Sequence, residues 1–322
     1  MDCLEENWLE LDWSPWVPFN APREFWYIQK APGVYRIRPD NKDLLMYIGE
    51  TGQSLHKKLA GLRQTLRRGD LMPWSDPYAE APALWSWWVE WIADRDAGTP
   101  KLPAPGNTAS HSQSSSDNEE EADDPEPVML EVSSAPLDAS VSGRKGMERF
   151  LLYNYRQEKG ESPLCNFGRI HPRYRKSTTR AEGHRGGKLA NDQQDNPAGF
   201  PSITPLEPVG KPGDCDWMGL EWTEQKSLIP EHAGKVSEGA GLYLLADAGT
   251  QDILYIGQSA DIAKRLPGLC GKDWQGHEVQ FSYQIVGQNV LPHNLKELEA
   301  DLLGNYYENF RKMPVFQFQK SR

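Results

Sequence analysis

Two tyrosines twelve residues apart, each inside a three-residue phrase, open the chemistry of this chain, and the arrangement is written twice. Gly33-Val34-Tyr35 is followed by Tyr47-Ile48-Gly49, and Gly241-Leu242-Tyr243 by Tyr255-Ile256-Gly257, at an offset of about 208 residues. Each pair is trailed by a basic stretch, Lys57-Lys58 or Lys264-Arg265, and later by a glutamate in an apolar periodic run, Glu148 or Glu299. These residue types suit work on a phosphate ester. A carboxylate can anchor Mg²⁺, which keeps several waters and takes phosphate oxygens as further ligands. Lysine or arginine can offset charge on phosphoryl oxygens. Tyrosine is a weak base, because ionising a phenol of pKa near 10 at neutral pH costs about 4 kcal/mol. A neighbouring cation lowers that cost.

Other blocks keep the same order in both halves, so the unit is an internal repeat rather than a chance phrase. Leu11-Asp12-Trp13-Ser14 matches Leu220-Glu221-Trp222-Thr223, Met147 to Tyr155 matches Leu298 to Tyr306, and Pro163-Leu164-Cys165-Asn166-Phe167 matches Pro314-Val315-Phe316-Gln317-Phe318. In each unit a strand (Val34 to Ile37; Leu242 to Leu245) and a second strand (Leu44 to Ile48; Ile253 to Ile256) predict an antiparallel hairpin. Leu55, Leu59, Leu62 and Leu66 then recur at helical spacing. In the second unit Pro267-Gly268 cuts the matching helix short. Alternation over Trp85, Trp87, Val89 and Trp91 predicts a third strand, with Val279 to Ile285 as its counterpart. A helix carrying Glu148 or Glu299 and a closing strand at the Pro-Leu-Cys-Asn-Phe block complete the unit.

With 322 residues there is room for two domains with their own cores. The expected division is 1–180, a polar linker at 181–214, and 215–322. The net charge of -11 speaks against a nucleic-acid partner only as an average. Much of the negative charge lies in an acidic, Ser- and Pro-rich insertion at about 98–127, expected to be disordered. Arg144 to Lys188, in contrast, holds about twelve basic against about four acidic residues, so charge is segregated. Asp216 to Arg322 is net acidic. The scattered Cys3, Cys165, Cys215 and Cys270 show neither metal-ligand spacing nor a disulfide framework. With no signal-like start and no long apolar run, the expectation is a cytoplasmic chain that does not enter membranes.

The ordered blocks together resemble the GIY-YIG endonuclease family, and the first unit is similar to a restriction-type branch through Tyr47-Ile48-Gly49-Glu50-Thr51-Gly52 and Asn166-Phe167-Gly168-Arg169. The resemblance implies an α+β fold of two tandem GIY-YIG-like domains, each a small three-stranded mixed or antiparallel sheet flanked by helices. It implies hydrolysis of DNA phosphodiesters with Mg²⁺ or Mn²⁺. It also implies roles: Tyr35 or Tyr243 as general base, Tyr47 or Tyr255 on the water or phosphate, Lys58 or Arg265 as the helix cation, Glu148 or Glu299 as metal ligand, and Asn166 or Gln317 as the late amide.

Each copy departs from the pattern once. Lys58 lacks the planar fork of arginine, and Gln317 is a methylene longer than asparagine. DNA contacts are expected from Lys57, Arg63, Arg67 and Arg68 on the basic helix and from Arg169, Arg173, Arg175 and Lys176 in the extension. Trp88 is a candidate for base stacking. The repeats either form an intramolecular pseudo-dimer cutting both strands or divide labour, with the first active and the second a scaffold. The reading from another class is a catalytically inactive DNA-binding or regulatory protein.

Overall fold

The doubled phrase folds twice into the same hairpin. Residues 2–40, 42–67, 80–96, 129–175, 187–190, 193, 196–287 and 290–319 are described by the computed structural model. The first unit runs β1 (Val17–Pro18), β2 (Gly33–Pro39), β3 (Tyr47–Thr51), α1 (Leu55–Leu66), α2 (Ala81–Asp96), β4 (Leu130–Pro136) and α3 (Val141–Lys159). A short pair, β5 (Tyr174–Arg175) and β6 (Gly187–Lys188), follows. The second unit runs β7 (Lys226–Ser227), α4 (Pro230–Ala233), β8 (Ala240–Asp247), β9 (Ile253–Ser259), α5 (Ile262–Arg265), β10 (Val279–Gly287) and α6 (Pro292–Phe310). The class is α+β, and the two four-stranded sheets share one strand order, β1-β4-β2-β3 and β7-β10-β8-β9.

Every strand pair in these sheets is antiparallel, so neither sheet is mixed, and the two-residue strands β1 and β7 add a fourth member to each. The register puts Tyr35 opposite Gly49 and Ile37 opposite Tyr47, with Tyr243 opposite Gly257 and Leu245 opposite Tyr255 in the second sheet. The repeat extends to unusual backbone. Leu9 and Met218, and Phe167 and Phe318, all adopt φ between 53° and 60° at matching positions. Trp8 stacks on Trp13, whose Nε1 donates to the Trp8 carbonyl at 3.0 Å; Trp222 does the same to Trp217.

Three expectations are corrected. Trp85 to Trp91 lie in α2, because nearly every residue there is apolar or aromatic and a dense run satisfies a period of 2 and of 3.6 alike. The third strand is instead β4, buried between β1 and β2, where Ser133 and Ser134 interrupt any alternation. Ser14 holds them in place: its carbonyl accepts from Ser133 Oγ at 2.8 Å and its Oγ accepts from the Ser134 amide at 3.1 Å. The Pro-Leu-Cys-Asn-Phe block is a turn rather than a strand, although the Cys165 amide donates to Met46 O and the Phe316 amide to Leu254 O. The second hairpin strand of the first unit also begins at Tyr47 and runs on to Thr51.

The units meet through α3 and α6. Gly304 lies so close to α3 that a Cβ there would sit 2.6 Å from the Arg149 carbonyl and collide with Tyr153. Tyr153 and Gly304 stand equally far beyond Glu148 and Glu299, so equivalent positions face one another. The flanking contacts exchange partners: the Phe150 ring meets the Tyr307 ring at 5.9 Å, while Arg156 pairs with Asp301. Such reciprocity is what an antiparallel, two-fold-like helix pair produces. Within the stretch read as linker, Ser202, Ile203 and Leu206 are bound to this junction: Ser202 Oγ donates to Glu297 Oε1 at 2.9 Å, and the Leu206 amide to Asp301 Oδ2 at 3.1 Å. The acidic insertion at 98–127 lies outside the described residues. All four cysteines are free, and among the described residues no helix is long and apolar enough to cross a membrane.

Candidate functional site

The hairpin geometry stacks each tyrosine pair. Tyr35 and Tyr47 lie 5.9 Å apart between ring centroids, Tyr243 and Tyr255 6.0 Å, with interplanar angles of 29° and 26°. The third residue of each Tyr-Ile-Gly phrase makes this possible. A Cβ at Gly49 would sit 2.6 Å from the Tyr47 ring and 2.8 Å from that of Tyr35, and Gly257 is equally enclosed.

The surroundings of the two pairs then diverge. In the first unit Tyr35 Oη donates to Glu80 Oε1 at 3.1 Å, and Lys58 Nζ reaches the same oxygen at 2.8 Å. Glu80 sits just ahead of α2, an element with no counterpart in the second unit. Burial lifts the Tyr35 phenol well above its ordinary pKa, and the Glu80 charge lifts it further. In the second unit Arg265 Nε donates to Tyr243 Oη at 3.0 Å. Burial still raises that phenol, but here the arginine opposes the rise.

The glutamates are held alike. Glu148 and Glu299 line the same cleft, and the backbone of the residue after each Tyr-Ile-Gly, Glu50 or Gln258, tempers the rise of its carboxyl. Burial raises both carboxyls, and Arg149 counters it in both. Glu148 is also close enough to raise Tyr35 and Tyr47. The second unit offers the cleft one carboxylate, Glu299, while in the first Glu80 lines it together with Glu148; Glu148 or Glu299 suits Mg²⁺ completed by water and phosphate oxygens. Among the described residues the one compact acid-and-thiol group, Asp2, Cys3 and Glu158, lies elsewhere.

The late amides are positioning residues. Asn166 Oδ1 accepts from the Ile48 amide at 2.9 Å and its Nδ2 donates to the Ile48 carbonyl at 2.8 Å, which spends both ends of the side chain on β3. Gln317 keeps the first of these bonds, with Oε1 accepting from the Ile256 amide at 3.1 Å. Its extra methylene therefore does not remove it from the β9 edge.

A cleft of about 430 Å³ joins the two units. Tyr47, Glu80, Glu148, Arg149 and Asn166 line it from one side, Gln258, Lys296 and Glu299 from the other. Sequence reasoning missed Glu80, Arg149 and Lys296. Arg149 carried a signal in its adjacency to Glu148, but its match in the second unit is Ala300. Glu80 lies in a non-repeated insertion and carried none.

The expected DNA-binding residues fare unevenly. Lys57 is exposed on α1, Arg67 is exposed at its C-terminal end, and Arg175 is exposed in β5. Arg63 lies over the Phe25 ring at 5.4 Å. Arg169 is only 6 % exposed and donates to the Ser162 carbonyl at 3.1 Å, so it faces inward rather than toward a ligand. Arg173 pairs with Glu90 at 2.7 Å, and Lys188 does so at 2.6 Å. Trp88 packs against the first core. Arg68 and Lys176 lie outside the described residues.

In comparisons with known proteins, no family model, no curated protein and no solved structure matches this chain.

Proposed function

We propose that the chain is a divalent-metal-dependent DNA endonuclease of the GIY-YIG type, built as an intramolecular pseudo-dimer of two unequal repeats. The observation that carries this reading is the recurrence, in two halves of one chain, of a stacked tyrosine pair with a helix glutamate, both glutamates lining one cleft. When bound, Mg²⁺ or Mn²⁺ at Glu148 or Glu299 supplies charge for the phosphoryl oxygens. The tyrosines orient water and phosphate, and Arg265 favours the ionised form of Tyr243.

The second repeat is the better arranged for hydrolysis. Glu80 engages the Lys58 ammonium and raises the Tyr35 phenol, whereas Arg265 touches Tyr243 directly. This reverses the preference that sequence alone suggested, in which the first repeat cuts. The first repeat then serves DNA binding, through Lys57 on α1 and Arg67 at its C-terminal end. Supercoiled plasmid with Mg²⁺ tests the assignment: Glu299→Ala abolishes nicking, and Glu148→Ala leaves it measurable. Salt-sensitive DNA binding without nicking under Mg²⁺ or Mn²⁺ replaces the endonuclease with a non-cleaving DNA-binding protein. The same Glu80 contact favours that second reading for the first repeat.

A further inference from the structure

Between Glu148 and Glu299 lies a single arginine that belongs to one repeat and acts on both. Arg149 follows Glu148 on α3, and the close approach of α3 to α6 at Gly304 sets it in the one cleft that Tyr47, Glu148 and Glu299 all line. Arg149 Nε is buried and has no hydrogen-bond acceptor. A guanidinium left short of acceptors in a cleft is poised for a ligand that brings oxygens, since its planar fork fits phosphate through two parallel bonds. Ala300, the equivalent in the second repeat, has nothing to offer.

Charge narrows the ligand further. Lys58 offsets Glu80, and ionised Glu148 and Glu299 balance Arg149 and Lys296, so the cleft is near neutral and offers a lone anion little net attraction. A phosphodiester accompanied by a divalent cation, with the cation on a glutamate and the phosphate on Arg149, meets both signs. Resting on the endonuclease reading above, we infer that Arg149 grips phosphate for both repeats, so that the cleft takes one phosphodiester at a time rather than one per repeat.

Two measurements test this without hydrolysis. A short fluorescein-labelled DNA duplex, titrated by anisotropy with Ca²⁺ in place of Mg²⁺, is expected to bind once per chain. Arg149→Met should weaken it about tenfold or more, and Arg149→Lys less, as the loss of a charge-assisted fork predicts. Circular dichroism of Arg149→Met should match wild type, which reports that the variant is folded. Unchanged duplex binding in the folded Arg149→Met chain, or two duplexes per chain, overturns the inference and leaves the endonuclease reading standing. A wild-type chain that ignores the duplex at low salt sinks that reading, and this inference with it.

Discussion

Arg156 of α3 and Asp301 of α6 are both fully buried and are joined by two bonds, Nε to Oδ1 at 2.7 Å and Nη2 to Oδ2 at 3.0 Å. Burial raises the Asp301 carboxyl, and the arginine pulls it back. Breaking a buried pair from one side strands a charge and costs about 3–5 kcal/mol. Arg156→Ala and Asp301→Ala should each lower the unfolding free energy by about that much, read as a fall in the urea midpoint. Arg156→Met combined with Asp301→Leu should recover only part of the loss, because the buried Glu297, 3.9 Å from Arg156, then loses its cation.

The raised carboxyls of the cleft predict a trade between stability and function. A group whose folded pKa exceeds its unfolded value binds protons more readily in the native state, so stability falls as pH rises above about 4.5, the ordinary value for glutamate. At neutral pH, Glu148→Gln and Glu299→Gln should therefore raise Tm, with the gap to wild type closing as pH is lowered through 4.5. A decrease in Tm for both at neutral pH would show that Arg149 and the backbone amides outweigh burial.

Glu80 makes a prediction in the opposite sense. Its charge adds to burial in raising Tyr35 and Tyr47, so Glu80→Gln should bring both phenol titrations down, and absorbance at alkaline pH reads this directly. Tyr243 and Tyr255 serve as the internal control, since Glu80 is not among the groups that shift them. Under the functional proposal the same substitution releases Lys58 and raises nicking by the Glu299→Ala chain.

Glu90 anchors the basic extension. Burial would raise its carboxyl, but bonds from Lys188, Arg173 and Tyr174 hold it at about 2. The sign is that of a depressed acid: its contribution is complete above the ordinary value of 4.5 and fades as pH falls toward about 2. Glu90→Ala should cost about 1–3 kcal/mol by leaving the buried Tyr174 hydroxyl unpaired.

Most of what could be read in advance is what the repeat duplicates. The hairpins, the tyrosine pairs, β10 and the glutamate helices recur in the same order in both halves, so two weak signals reinforced each other. Duplication was not enough for the Pro-Leu-Cys-Asn-Phe block, whose turn was read as a strand, and other parts were misread or missed. In α2, four tryptophans in seven residues erase periodicity. In β4, buried serines depend on Ser14, more than a hundred residues away in the chain. Glu80 and Arg149 gain their chemistry only from elements brought beside them by folding, and Arg169 lost its expected role because its partner, the Ser162 carbonyl, is a backbone group with no sequence signature.

Gly304 links that packing to the cleft. Alanine is favoured over glycine inside a helix by about 1 kcal/mol, so on propensity alone Gly304→Ala should stabilise α6. A Cβ there meets Tyr153 and, at 2.6 Å, the Arg149 carbonyl, and a backbone atom cannot rotate away as a flexible side chain would. Relief requires α6 to move off α3, at the roughly 1–3 kcal/mol typical of overpacking, and the clash therefore wins. Gly304→Ala should lower stability by denaturant unfolding and also draw Glu299 away from Arg149. The Glu299 carboxyl should then titrate higher than in wild type while Glu148, on the same helix as Arg149, stays put. Gly268→Ala, where a Cβ would meet nothing, supplies the matched control.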